Sequence, residues 1–599
     1  MTGLITDREL QFLLYELLNT RELIQRPRYQ ALADDVLDAT LDAARRLASE
    51  VFAPHYAKGD QHQPEFVDGT ARVIPEAARA WSAFAEAGFL NAHWDEDEGG
   101  TQLPETVFRA AMALFFGSNV ATMGYPFLTI GAANLLRAFG TPELKSRYLE
   151  AMGDGRCAGT MCLTEPDQGS ALGDIKAYAV PQDDGSYRVV GQKMFISGGD
   201  QNFTRNIVHM VLARIQGAPA GAGGISLFLV PKWLVDDTGS PCERNDVALA
   251  GLLHKMGWRN TTSTVLSFGE QGGARGYLIG APGQGLAHMF HMMNEARIGV
   301  GLIAASLAYR GYAESLAYAR VRHQGRLPSS KTPGSPQVRL VEHADVRRLL
   351  LAQKAYAEGA LGLCLYASSL FEDQHTHQDA QRRQHAAMLL DVLTPVVKSW
   401  PARYGCVAND MAIQVLGGSG YTNEYTVEQL YRDQRLNPIH EGAEAIHGLD
   451  LLARKIRLHD GAGLALFCSA VRDTVEAASQ EAALAGAAAL LESVLTKLEG
   501  VSAALLRMQG QDIDLALANA TVYLDVFGKV AVGWIWLQQA LVATRALAAD
   551  PARDAAYYQG KLAAQRYFFD WDLRAAFPIL ERLAAFDRTA FDMNEEWFQ

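Results

Sequence analysis

Apolar positions along this chain fall into two rhythms that change places twice. Up to about residue 156 they recur at helical spacing. Leu13, Leu14, Leu17 and Leu18 share one face of a first segment, and Leu37, Leu41 and Leu47 continue along a second. The run from Trp81 toward Ala92, stopping at Gly88 or just beyond, predicts another helix. An acidic turn at 95–100 leads to a further apolar helix through Phe115, and Pro142 after Thr141 opens the next as a first-turn proline does.

The rhythm shortens at Cys157. From there to about 282, short runs rich in Val, Ile, Phe and Thr alternate with Gly, Asp and Pro. The clearest strands begin at Tyr187, Ile207 and Ile225, and Asp183-Asp184-Gly185 is a hairpin-type turn. Beyond Leu286 helical spacing returns over 286–320, 338–372, 385–417, 426–433 and 442–457, broken by a loop from Gly325 to Pro336. An alanine- and leucine-rich helical block fills the remainder. The fold class expected is α+β: an N-terminal helical domain (1–156), a middle β-domain (157–282), a second helical domain (283–459) and an additional C-terminal helical domain (460–599).

Composition narrows the function. The 599 residues are 49% hydrophobic and 20% charged with a net charge of −13, which argues against a nucleic-acid or anionic-membrane binder. Residues 460–599 alone carry −7. Six scattered cysteines form no metal-ligand spacing or disulfide framework, so no metal is expected and a reducing, cytoplasmic setting fits. The N-terminus lacks the pattern of a secretion leader. The apolar run starting at Val530 is interrupted by Gln538 and Gln539 and reads as a buried helix rather than a membrane span.

Residues 411–446 carry the chemistry. A Gly417-Gly418-Ser419-Gly420 turn exposes backbone to a phosphate-sized group, and Glu441 follows in a short His440-Glu441-Gly442 segment. An acceptor surface followed by one carboxylate suits proton removal from a carbon beside a bound cofactor. Together with two other motifs, Met161-Cys162-Leu163-Thr164-Glu165-Pro166 with Gly169-Ser170, and Phe195-Ile196-Ser197, this segment resembles the acyl-CoA dehydrogenase family over roughly residues 30–460. The extra N-terminal helix and C-terminal block are similar to its long bacterial branch.

That resemblance implies a four-helix bundle for 283–459 and an FAD cofactor. It makes Glu441 the base for the α-proton, with Gly442 beside the substrate. Cys162, Leu163 and Thr164 would meet the flavin ring's edge, Gly169 and Ser170 the pyrophosphate or substrate, and Phe195, Ile196 and Ser197 the ring itself. Arg322, Gln324, Gln414, Leu416, Gly417 and Gly418 would reach a neighbouring subunit's FAD, implying a homodimer or dimer of dimers. Asn294 and Arg297 resemble contacts to CoA. Partners implied are an acyl-CoA and an electron-transfer flavoprotein, with no nucleic acid and no membrane contact.

Some relatives place the base just before the arginine matched here by Arg297. That position is Ala296, which cannot act, and Glu295 points about 100° away around the helix. Two departures stand out: His440 replaces an aromatic residue, and Phe195 replaces Trp. His440 either makes the pocket more polar or adds a titrating group beside the base. An acyl-CoA oxidase, or a superfamily member that is not a dehydrogenase, is the alternative. Acyl selectivity depends on a pocket between helices near 110–130 and 286–300. The Phe115-Phe116 and Tyr125-Pro126-Phe127 clusters are candidates to line it, with core packing the favoured role, and Arg454 and Lys455 are expected in solvent.

Overall fold

The computed structural model describes residues 3–33, 35–236, 239–330 and 333–599, apart from the side chains of His291 and Asn294. The first domain carries α1 (Asp7–Gln11), α2 (Val36–Leu47), α3 (Pro75–Glu86), α4 (Glu105–Phe139) and α5 (Pro142–Gly153). A short strand pair, Glu65–Val67 with Thr70–Arg72, also falls inside this domain, where helical periodicity alone is silent. Thr141 caps α5, its hydroxyl accepting from the Leu144 N–H, with Pro142 in the first turn.

α4 is two helices in one. At Asn119 the backbone leaves helical geometry (φ −158°, ψ 83°). The Asn119 side chain makes the break tolerable by accepting from the Thr122 N–H at 3.1 Å and donating to the Phe52 carbonyl at 3.0 Å. The bend lets residues 108–112 and 127–131 of one helix face a common space.

The middle domain holds β1 (Cys157–Cys162), β2 (Tyr178–Pro181), β3 (Tyr187–Ser197), β4 (Asn206–Ile215), β5 (Ile225–Pro231), β6 (Val247–Leu252), β7 (Ser263–Phe268) and β8 (Ala274–Ile279). They form one eight-stranded sheet in the order β6-β7-β3-β8-β5-β4-β1, and β2 pairs with both β3 and β4. Pairing therefore closes a ring through β3, β8, β5, β4 and β2, which removes free strand edges there. β1 and β4 run parallel; the hairpin turn at 182–186 links β2 to β3. The second half of α4 packs on this sheet through Ala132, Leu135 and Leu136. Gly159 is required for that approach, since a Cβ there would lie 2.6 Å from the Ala132 Cβ.

The bundle comprises α6 (Gly285–Val321), α7 (Ala344–Thr376), α8 (Ala380–Leu416) and the shorter α9 (Thr426–Gln434), followed by α10 (Glu444–Leu449). The stretch expected as one helix over 442–457 breaks after α10 into tighter and wider turns through Gly461. The C-terminal helices include α11 (Ala462–Ser479), α12 (Ala485–Gln509), α13 (Ala520–Ala549) and α14 (Ala555–Tyr567). α13 is long and apolar enough to cross a membrane, yet 83% of its most apolar window is buried inside the protein. It packs on α8, where a Cβ at Gly528 would lie 2.5 Å from the Trp400 ring.

Candidate active site

Glu441 occupies the turn between α9 and α10 and has left-handed backbone geometry, φ 54°, followed by Gly442 at φ 98°. A non-glycine residue there is strained, and such strain is held only where the surroundings over-determine it. Two bonds do the holding. His447 on α10 donates from Nε2 to the Glu441 carbonyl at 3.2 Å, and Lys398 on α8 donates from Nζ to the Gly442 carbonyl at 2.6 Å. Both carbonyls are thereby turned to the protein side. The Glu441 backbone N–H has no protein partner among the described residues and is free to meet a ligand oxygen.

The electrostatics favour a poised base. Burial pushes the Glu441 carboxyl above its ordinary pKa, and Lys398 and Arg297 pull against that without cancelling it. Burial pushes Lys398 down to about 7 while Glu441 and Glu444 oppose it. His440 and His447 are pushed to about 3 and about 2, in both cases first by burial and then by Lys398, so both rings are neutral. For His440 this direction favours the polar wall over a second titrating group. Its Nε2 lies 3.2 Å from the Asn437 amide oxygen, and its ring stands edge-on to Trp258 at 5.4 Å.

Arg297 on α6 is 2% exposed and ion-paired with Asp450 at 3.0 Å, and its Nε is buried without a partner. The structure thus places this guanidinium inside the protein, near enough to act electrostatically on Glu441. The side chain of Asn294 lies outside the described residues. Lys455, expected in solvent, is 3% exposed and ion-paired with Asp391, because the break after α10 turns it inward; Arg454, paired with Asp450, is half exposed.

The cofactor candidates fall into two groups. At the sheet edge, the Leu163 and Thr164 N–H groups have no protein partner among the described residues. Cys162 and Ile196 point their side chains into the β-core, leaving only backbone for a ligand. Phe195 is 63% exposed with φ 59°, an apolar ring held out of the sheet beside Ser197. Gly169 and Ser170 are exposed, and a Cβ at Gly169 would meet nothing within 4 Å. Buried Lys193 fixes this loop by donating to the Leu163 carbonyl and to Glu165, both at 2.9 Å. Glu165 also accepts the Lys176 and Ala177 N–H groups. The unpaired edge N–H groups and the projecting ring fit a flat heteroaromatic cofactor such as flavin.

The second group sits at the far ends of α6 and α8, joined by Tyr318, whose ring meets Tyr425 and whose hydroxyl lies 3.4 Å from the Ser419 hydroxyl. Arg322, Gln324, Gln414, Gly417 and Gly418 are exposed there, whereas the Leu416 side chain is buried. Among the described residues no hydrogen bond, ion pair or ring contact joins this group to Glu441.

Between α4 and α6 lies a pocket walled by Met112, Phe127, Ile130, Met161, Met292 and Ala296. Met161 precedes Cys162 of the sheet edge, and Ala296 precedes Arg297 on α6. Phe127 both lines the pocket and packs against the core. Phe115 and Phe116 are core residues, and the Tyr125 hydroxyl donates to the Asn260 carbonyl. Lys398 and His447 were missed by sequence reasoning. A lysine inside the apolar run 393–400 of a buried helix was the available signal.

Known proteins match this chain over nearly its whole length. Residues 35–156, 160–270 and 283–456 match the families described as acyl-CoA dehydrogenase N-terminal, middle and C-terminal domain, and residues 467–594 match "Acetyl-CoA dehydrogenase C-terminal like". The 3-methylmercaptopropionyl-CoA dehydrogenase of Ruegeria pomeroyi is 35% identical, over 95% of each chain. A broad-specificity linear acyl-CoA dehydrogenase of Mycobacterium tuberculosis is 34% identical, over 99% of each. An acyl-CoA dehydrogenase from Bacillus anthracis, solved in complex with FAD, shares the fold with a TM-score of 0.71 at 20% identity, over 95% of this chain and 90% of that one.

Proposed function

The chain belongs to the acyl-CoA dehydrogenase family, oxidoreductases acting on a CH–CH bond, and we propose that it uses FAD to convert a saturated acyl-CoA thioester to the trans-2-enoyl-CoA with Glu441 as base. The observation that carries this reading is the Glu441 turn: a buried carboxylate of raised pKa, both neighbouring carbonyls pinned away, and its own N–H free.

The Glu441 N–H donates to the thioester carbonyl and acidifies the adjacent α-carbon. The Glu441 carboxylate then takes the α-proton, and Lys398 and Arg297 keep enough of it ionised to do so. FAD, when bound, supplies the acceptor for the hydride leaving Cβ. Leu163, Thr164, Phe195 and Ser197 would hold its ring, Gly169 and Ser170 its phosphates, and the acyl chain would fill the cavity between α4 and α6. Neutral His440 and the edge of Trp258 help exclude water from the base.

Arg322, Gln324, Gln414, Gly417 and Gly418 stand apart from this ring site, with Val321 72% and Tyr421 86% exposed beside them. That supports a homodimer in which this surface completes the partner's FAD site. Reduced cofactor would pass electrons to an electron-transfer flavoprotein. The deciding experiment is anaerobic mixing of the yellow protein with saturated acyl-CoAs of graded length. Bleaching in the wild type and none in Glu441→Gln is expected; wild-type bleaching by Glu441→Gln rejects the base. Rapid reoxidation by oxygen alone would point to an oxidase instead.

A further inference from the structure

The cavity between α4 and α6 is not purely apolar. Arg109 and Glu295 share its wall with the methionines and Phe127. An unsubstituted alkyl chain gives neither of them a partner, and a buried charge facing hydrocarbon is costly.

Arg109 is 7% exposed. Its Nε donates to Glu105 at 2.5 Å, and its two terminal amino groups have no partner among the described residues. A guanidinium offers five donors, so most of its capacity is unspent. Glu295 accepts from the Asn134 amide at 3.0 Å through one oxygen. Next to both stands His93, whose Nε2 meets the Asn134 oxygen at 3.0 Å and whose ring lies 4.7 Å from Phe108, another wall residue. The His93 Nδ1 is buried without a partner. Burial lowers the His93 pKa, so the ring is neutral. Glu105, bonded through its own backbone N–H to Glu372, balances the Arg109 charge.

The charge count decides what kind of group belongs here. Arg109 and Glu105 cancel, which leaves Glu295 as a net negative charge on the wall. A carboxylate-ended chain would be repelled. A group that both accepts and donates fits: it takes a hydrogen bond from the Arg109 amino groups and gives one to the Glu295 carboxylate. Resting on the reading of this cavity as the acyl site, we propose that the preferred substrate carries a hydroxyl on its acyl chain beyond Cβ, held between Arg109 and Glu295.

The test is a panel of acyl-CoAs of equal length: unsubstituted, hydroxylated at successive carbons beyond Cβ, and ended by a carboxylate. Anaerobic bleaching rates and kcat/KM would be measured for each. One hydroxylated chain should exceed the plain chain by about tenfold or more, as expected for a hydrogen bond to a charged group. In Arg109→Met that ratio should fall to about one, and Glu295→Gln should reduce it. If no hydroxylated chain beats the plain one, if the carboxylate-ended chain is best, or if the ratio survives in a folded Arg109→Met, the proposal is overturned. The wild-type panel decides this even where a variant fails to fold. Failure of the underlying reading looks different, since then no acyl-CoA bleaches the protein.

Discussion

Two buried clusters of charge in this molecule have opposite characters. Where the C-terminal helices meet the rest of the protein, Lys561 on α14 is fully buried. Its Nζ donates to Glu9 on α1 at 2.6 Å, Glu358 on α7 at 2.8 Å and Gln539 on α13 at 3.0 Å. All three ammonium donors are used, and four helices are tied at one atom. Around Glu441 the charges are equally buried but the bonding is incomplete: the Arg297 Nε and the His447 Nδ1 lack partners, and the base sits in a strained turn. In the Lys561 cluster every charged group is paired, although the Gln539 Nε2 is buried without a partner. A cluster whose charges are all paired specifies structure, whereas one with an unpaired guanidinium nitrogen keeps the capacity to act on a ligand.

The strongest test of that contrast removes each cluster's central group. Glu441→Gln should lower the rate of substrate bleaching by about 10²–10⁴-fold while leaving cofactor bound and the melting temperature close to wild type. Lys561→Met should do the reverse. Leaving Glu9 and Glu358 buried beside an apolar side chain should cost about 3–5 kcal/mol of stability, read by urea or thermal unfolding, with turnover per folded molecule intact. The sign of its pH dependence also follows. Losing Lys561 removes a cation that lowers the Glu9 pKa, so the folded variant binds a proton that the unfolded chain releases at lower pH. Its deficit should therefore grow as pH rises above the unfolded carboxylate pKa and shrink in acid.

Smaller effects separate the positioning groups from the base. Activity should rise with pH through the raised Glu441 pKa, because only the ionised form accepts a proton. The same shift makes Glu441 a group whose contribution to stability falls as pH rises through that range. Lys398→Met removes a buried cation that favours the ionised base, so the rising limb of the pH–rate profile should move to higher pH. At neutral pH the rate should drop about tenfold, and at high pH it should recover in part; an unmoved limb would reduce Lys398 to a structural role. Least affected is His440→Phe. With its ring already neutral, the shape and position of the limb should stay as in wild type and the rate should change by less than about threefold.

The same contrast explains what could be read beforehand. Helical spacing and the switch at Cys157 give the order of domains because burial of one face leaves a periodic trace in sequence. Glu441 was legible because glycine-rich turns and a lone carboxylate lie close together in the chain. Lys398 and Arg109 were not, since the Gly442 carbonyl and the Glu295 carboxylate that give them meaning lie far away in sequence. Nor was His447, although it bonds the Glu441 carbonyl just before its own helix. The kink at Asn119 is local chemistry that apolar periodicity passes over, and it decides that two stretches of α4 line one cavity. Lys455 went inward because the helix after Glu444 breaks, a consequence of packing rather than propensity.

The sequence alone determined the family and the succession of helical and β domains, and it singled out Glu441 as the candidate base, because these are encoded by residues near one another along the chain. Tertiary structure alone decided which charges are buried, which donors stay unpaired and which face of α4 meets α6. Desolvation and hydrogen-bond satisfaction depend on what lies across the gap, and no local pattern records that.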